Sequence, residues 1–163
     1  MFNLAMPFDD TINDISALGG LPAFLVIAAL ITAIVPPASW LALALMFLGG
    51  LAGCYIVTVA IRWVWFRTRP VPAEHHNWWQ RIDASSFPSM HTMRAAFLAT
   101  VLIILLQYSV IAIIVCSCAA LAVAWARVRK KRHHVSDVVV GIILGVIIAL
   151  LSMVLMVAVP TWF

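Results

Sequence analysis

The stretch SWLALALMFLGGLAGCYIVTVAI, residues 39–61, runs without a spacer into RWVWFRTRP, residues 62–70. The first part carries no charge. As a helix rising about 1.5 Å per residue it is long enough to cross a ~30 Å hydrocarbon core. The second part opens on arginine and mixes tryptophan with further arginines, residue types that mark a membrane–water border. One crossing helix that stops at a charged, aromatic border sets the reading of the sequence on either side.

Upstream, Leu21 to Val35 is a second apolar run, ended by Pro36-Pro37. Downstream, Met93 to Ala126 is apolar except for Gln107-Tyr108-Ser109. It is too long for one crossing and reads as two short helices with a tight turn near Tyr108. Val138 to Val159 is the last run. Five crossings result, so the expected fold is all-α: a polytopic transmembrane helical bundle forming a single domain over residues 1–163. Ahead of the crossings, Ile12, Ile15 and Leu18 recur at helical spacing among Asp9, Asp10 and Asp14. This predicts a short N-terminal interfacial helix leading into Gly19-Gly20. The N-terminus lacks the basic residues of a cleavable signal.

Composition agrees with a chain whose solvent is lipid. Hydrophobic residues make up 65% and charged residues 10%, and the mean hydropathy is +1.10. A soluble domain is about half apolar and about a quarter charged. The formal charge of +4 would allow a nucleic-acid partner, but the basic residues lie between apolar spans, so no nucleic acid is expected and the bilayer is the partner. Cys54, Cys116 and Cys118 fall inside apolar runs and read as small helix-packing side chains.

The order of spans places the chemistry. The polar stretch Arg62 to His91 follows two crossings, and the basic cluster Arg127 to His134 follows two more. Every Asp, Glu, Lys, Arg and His of the chain then falls on one membrane face. Trp63, Trp65, Trp78, Trp79 and Trp125 border that face, with Trp40 and Trp162 near the other. Lys and Arg in short loops favour the inside, which predicts an integral protein of the cell membrane with a cytoplasmic active face.

Three pieces of sequence converge there. Arg62 and Arg69-Pro70 are seven apart, about two helical turns, and share a face if the helix continues. Pro88-Ser89-Met90-His91 precedes an apolar helix, whose first backbone N–H groups are natural anion donors. Arg127 is followed by His133 and then by Asp137 at i, i+4 spacing, close enough to touch.

In these residues the chain resembles the type 2 phosphatidic acid phosphatases, whose motifs are K-x-x-x-x-x-x-R-P, P-S-G-H and S-R-x-x-x-x-x-H-x-x-x-D. All three are matched in order, with spacing intact, from Arg62 to Asp137. Arg62 stands for lysine, which keeps the charge but swaps a point charge for a planar fork. Met90 stands for glycine, and Ala126 for serine. The resemblance implies a helical phosphatase that works without a metal or other cofactor on a lipid phosphate: phosphatidic acid, phosphatidylglycerol phosphate or a polyprenyl phosphate or diphosphate.

The residue types then take roles. Arg62, Arg69 and Arg127, with Ser89 and the amides around Met90, neutralise the phosphate. His133 attacks phosphorus, Asp137 orients it, and His91 protonates the leaving oxygen. Water hydrolyses the phosphohistidine. His134 is the rival nucleophile, but Arg127 matches the motif spacing only with His133. Arg129, Lys130, Lys131 and Arg132 read as contacts to anionic headgroups. Arg67, Arg81 and Arg94 read as interfacial, with Arg94 one turn past His91 and within reach of the site. Glu74, His75 and His76 form a solvated loop and not a metal site. Two other functions fit the scaffold: a lipid phosphotransferase, and a non-enzymatic protein that binds anionic lipid. A related vanadate-binding oxidative class is discounted because its members are generally large and soluble.

Overall fold

A computed structural model of the protein describes residues 7–34, 40–72 and 74–158. These residues form seven helices: α1 (Pro7–Ala17), α2 (Leu21–Ile34), α3 (Trp40–Val64), α4 (Trp78–Ala84), α5 (Met90–Leu105), α6 (Val110–Arg129) and α7 (Val135–Ala158). There is no strand among the described residues. The expected turn at Pro36–Ala38 and the border residue Trp162 lie outside them.

The five apolar runs are the five helices α2, α3, α5, α6 and α7. The break predicted near Tyr108 falls between α5 and α6, where Gln107 and Tyr108 take the left-handed backbone conformation with φ of 54° and 58°. Three of the five, α3, α6 and α7, are long and apolar enough to cross a membrane on their own. α1 and α2 pass the same test only together, as a pair bent by 52°. α5, with 16 residues, is short of the ~20 that a crossing needs. It follows a non-helical segment whose Ser85, Ser86, Pro88 and Ser89 are buried. Irregular backbone is tolerated at membrane depth when protein covers it. By length and composition three helices qualify as crossings, or four if the bent α1–α2 pair is one span, and α5 is the short helix that the sequence led one to expect after the polar stretch.

α5 is the central post, touching α2, α3, α6 and α7. Two glycines of α7 let it approach closely. A Cβ at Gly141 would stand 2.8 Å from the Ser89 carbonyl oxygen, and one at Gly145 would overlap the Met93 carbonyl. Near the middle of the bundle Phe24, Phe47 and Phe97 pack with ring centroids 5.7–6.3 Å apart. Gly50 leaves the room that the Phe97 ring fills. The outer faces stay apolar: Leu41, Leu45, Leu48 and Ile56 on α3 and Ile147, Leu151 and Val154 on α7 are about half exposed or more. So much exposed apolar surface, wrapped around the bundle, needs lipid as its solvent. The protein is an integral membrane protein.

The N-terminal helix is more than an anchor. Ile12 and Ser16 of α1 are buried, and α1 packs along α6. α4, which the sequence did not suggest, sits in the polar stretch. Asn77 caps it, its Oδ1 accepting from the Gln80 amide at 2.9 Å. Trp78 packs edge-on against Trp63, with centroids 4.2 Å apart, and so ties α4 to the end of α3.

Candidate active site

The charged ends of α3, α5, α6 and α7 meet on one face, as the order of spans required. Three loops interlock there. The Ser86 amide donates to the Arg67 carbonyl at 2.8 Å, the Ser86 hydroxyl donates to the Thr68 carbonyl at 3.2 Å, and the Val71 amide donates to the Lys131 carbonyl at 3.3 Å. Segment 65–71 thus lies against both the loop before α5 and the turn before α7.

His133 sits in that turn and is 2% exposed. Its Nδ1 lies 2.6 Å from the Ser86 carbonyl oxygen. A carbonyl only accepts, so Nδ1 carries the proton and the lone pair is on Nε2. That lone pair faces Nη2 of Arg127 at 3.4 Å. Burial and the charge of Arg127 push the imidazole down to about 3, against the opposing pull of the Ser86 hydrogen bond. The ring is therefore a neutral base with a fixed tautomer. Nitrogen-15 spectra of the protein in detergent should show His133 neutral and protonated at Nδ1 down to pH 5. Titration with a midpoint near the ordinary 6.5 would contradict this.

Asp137 is fully buried, and its part differs from the one expected. One carboxylate oxygen accepts from Nη1 of Arg67 at 2.7 Å, and the other accepts from the His134 amide at 2.8 Å. Its distance to Nδ1 of His133 is 3.9 Å, too long for a hydrogen bond. The Ser86 carbonyl, not Asp137, fixes the tautomer, while the carboxylate stands close enough to stabilise positive charge on the ring. The i, i+4 spacing gave the proximity correctly but not the bonding, because Arg67 competes for the carboxylate. Arg67, read from sequence as interfacial, belongs to the site.

The three expected phosphate-binding arginines do converge. Arg62 reaches the Ile82 carbonyl at 3.1 Å and the Pro88 carbonyl at 3.0 Å. Arg69 donates to the Asp83 carbonyl, and Arg127 to the Ser16 hydroxyl at 3.1 Å. The Nε atoms of Arg62, Arg69 and Arg127, like that of Arg94, are buried without a hydrogen-bond partner. Arg62 and Arg69 do not share a helical face, since α3 ends at Val64. Arg69 comes to the site on the loop instead.

The segment before α5 is only partly as expected. The Ser89 hydroxyl pairs with the Thr92 hydroxyl at 3.0 Å. The Ser89 amide donates to the Asp137 carbonyl at 3.0 Å, so that amide is already engaged. Met90, half-buried, opens the helix, and His91 follows it in the first turn. His91 lies in the electrostatic field of Arg127, Arg94, Lys130 and Arg62. His134 instead donates from Nε2 to the Thr68 carbonyl at 3.2 Å, which takes it away from the phosphate side. Arg94 is buried but turns to α3, donating to the Tyr55 hydroxyl at 3.3 Å.

A family model for the PAP2 superfamily matches residues 43–160. The chain belongs to the PAP2 superfamily. Its fold is similar to the crystal structure of a transmembrane PAP2-type phosphatidylglycerolphosphate phosphatase from Bacillus subtilis, with a TM-score of 0.71 and 23% sequence identity. The match covers 98% of this chain and 82% of that one. No curated protein gives a significant match. Within this PAP2 chain α1 and α2 lie outside the residues that the family model matches, yet Ser16 of α1 holds Arg127.

Proposed function

We propose that this protein is a membrane lipid phosphatase that transfers the phosphoryl group to His133 and then to water. The observation that carries the reading is the His133 ring: neutral, held at Nδ1 by Ser86, and presenting its Nε2 lone pair beside Arg127. Arg62, Arg69 and Arg127 offset the phosphate charge, which is most of what phosphoryl transfer asks of a protein. The lone pair of Nε2 forms the N–P bond as the P–O ester bond breaks. Asp137 stabilises the positive ring that results, and His91 hands its proton to the departing oxygen. Water then attacks the phosphohistidine, with His91 as base.

A lipid substrate follows from the surroundings. An apolar cavity of about 230 Å³ between α5 and α6 reaches Leu18, next to the Gly19 backbone that packs on the His91 carbonyl. It offers an acyl chain a place below the phosphate. We read the mechanism as metal-independent. The charge is carried by arginines, and among the described residues no three His, Cys, Asp or Glu side chains form a cluster. Purified protein in detergent should release phosphate from lipid phosphates in the presence of EDTA, and vanadate should inhibit it. Loss of all activity in EDTA, restored by a divalent ion, would refute the metal-free mechanism. Appearance of a phosphorylated acceptor in place of free phosphate when an alcohol is added would favour a phosphotransferase instead.

We place the active face on the cytoplasmic side because the Lys and Arg residues collect there. A cysteine introduced between Glu74 and Gln80 should resist impermeant thiol reagents on intact cells. Ready labelling would reverse the orientation.

A further inference from the structure

One polar recess lies outside the phosphate site. It has a volume of about 370 Å³ and is lined by Ile12 and Asn13 of α1 and by Arg129, Lys130 and Arg132. Its two walls are the two partners of a contact inside the active site. Ser16, one turn along α1 from Ile12 and Asn13, accepts from Arg127 at 3.1 Å. Arg127 itself stands two residues before Arg129 on α6. α1 then ends at the tight approach of Gly19 to the His91 carbonyl, where a Cβ would stand 2.6 Å away. Whatever holds the recess together also holds α1 against Arg127 and His91.

We propose that the recess binds the headgroup of an anionic phospholipid that is not turned over, and that its occupancy clamps α1 and raises activity. The inference rests on the phosphatase reading for its kinetic part and on the recess alone for its binding part. Charge complementarity names the occupant. Three cations line the recess, and no Asp or Glu is among its lining residues. A bilayer lipid fits better than a soluble anion because the recess is amphipathic, with the buried side chain of Ile12 beside the cations. It also stands on the membrane face where the basic cluster meets the headgroup layer. Without an occupant, three like charges crowd one wall of the recess, and Arg132 adds to the positive field on Arg127.

Two measurements test this on the full-length protein. Native mass spectrometry should show phosphatidylserine retained well above phosphatidylcholine. That preference should vanish in the triple variant Arg129→Gln, Lys130→Gln, Arg132→Gln. Equal retention of both lipids by the wild type, or a preference that survives in the triple variant, would overturn the site. Turnover is then compared in nanodiscs of phosphatidylcholine with and without phosphatidylserine, at fixed substrate. Phosphatidylserine should raise wild-type kcat/KM by about fivefold or more, leave the triple variant's own rate in pure phosphatidylcholine unchanged, and act less on Ser16→Ala. A Ser16→Thr variant, which keeps the hydroxyl, should respond like the wild type and so separates coupling from misfolding. Selective retention without any gain in rate would overturn the coupling. Selective retention by a protein that turns over no lipid phosphate would sink the phosphatase reading and the kinetic part, leaving the binding site standing.

Discussion

His133→Ala will release no measurable phosphate from any substrate that the wild-type protein accepts. In the proposed mechanism this residue makes the new bond to phosphorus, and no neighbour is placed to take over. His134 is committed to the Thr68 carbonyl, and His91 is on another helix. Losing a nucleophile that acts as a unit with its partners costs roughly 10⁴–10⁶-fold. The fold should survive, since the ring makes one strong hydrogen bond, to Ser86. Thermal unfolding in detergent checks that point. His134→Ala is the control, and its loss should stay within about tenfold, because it removes one loop contact worth about 1 kcal/mol. Comparable activity in His133→Ala and His134→Ala would mean that the nucleophile is misassigned.

His91→Ala should lose activity in proportion to how badly the leaving group needs a proton. A lipid alkoxide is a strong base and leaves poorly unprotonated, whereas p-nitrophenolate leaves well without help. General acid catalysis is worth roughly 10²–10⁴-fold. The variant should lose about that much on a lipid phosphate and substantially less on p-nitrophenyl phosphate. Burial, and the charges of Arg127, Arg94, Lys130 and Arg62, all disfavour a proton on the ring; in the proposed mechanism the negative charge of the bound phosphate opposes those four charges. Equal losses on both substrates would remove the general-acid role and leave His91 as a phosphate ligand.

Much of this was legible in the sequence, and what was not has physical causes. The 39–61 run and the arginines that follow it gave the crossing and its border. Gln107-Tyr108-Ser109 gave the turn between α5 and α6, because a polar patch within an apolar run has few other uses. It also gave α5 as a short helix, whereas hydropathy does not see that Ser85, Ser86, Pro88 and Ser89, in irregular backbone, are buried by neighbours. Within the site, side chains with motif spacing were found, and Arg127 faces His133 across 3.4 Å. The Ser86 carbonyl was invisible because any residue carries one. Its role depends on the path of the loop before α5. Arg67 was missed because an arginine at a membrane border usually has no specific partner, and only the fold brings it to Asp137, 70 positions away in sequence. Ser16 was missed for the same reason, with 111 positions between it and Arg127. Arg69 was reached for the wrong reason, since the helix that would have aligned it with Arg62 ends at Val64.

The proposed mechanism requires a covalent phosphate on Nε2 of His133. It is tested most directly by mixing enzyme with excess lipid phosphate, quenching in alkali within milliseconds, and sequencing the peptides by mass spectrometry. Alkali matters because the N–P bond of phosphohistidine is lost in acid. The account predicts one phosphorylated residue, His133, bonded through Nε2, with the mark absent in His133→Ala. A phosphate found on another side chain, or a burst of product with no modified residue at all, would contradict it.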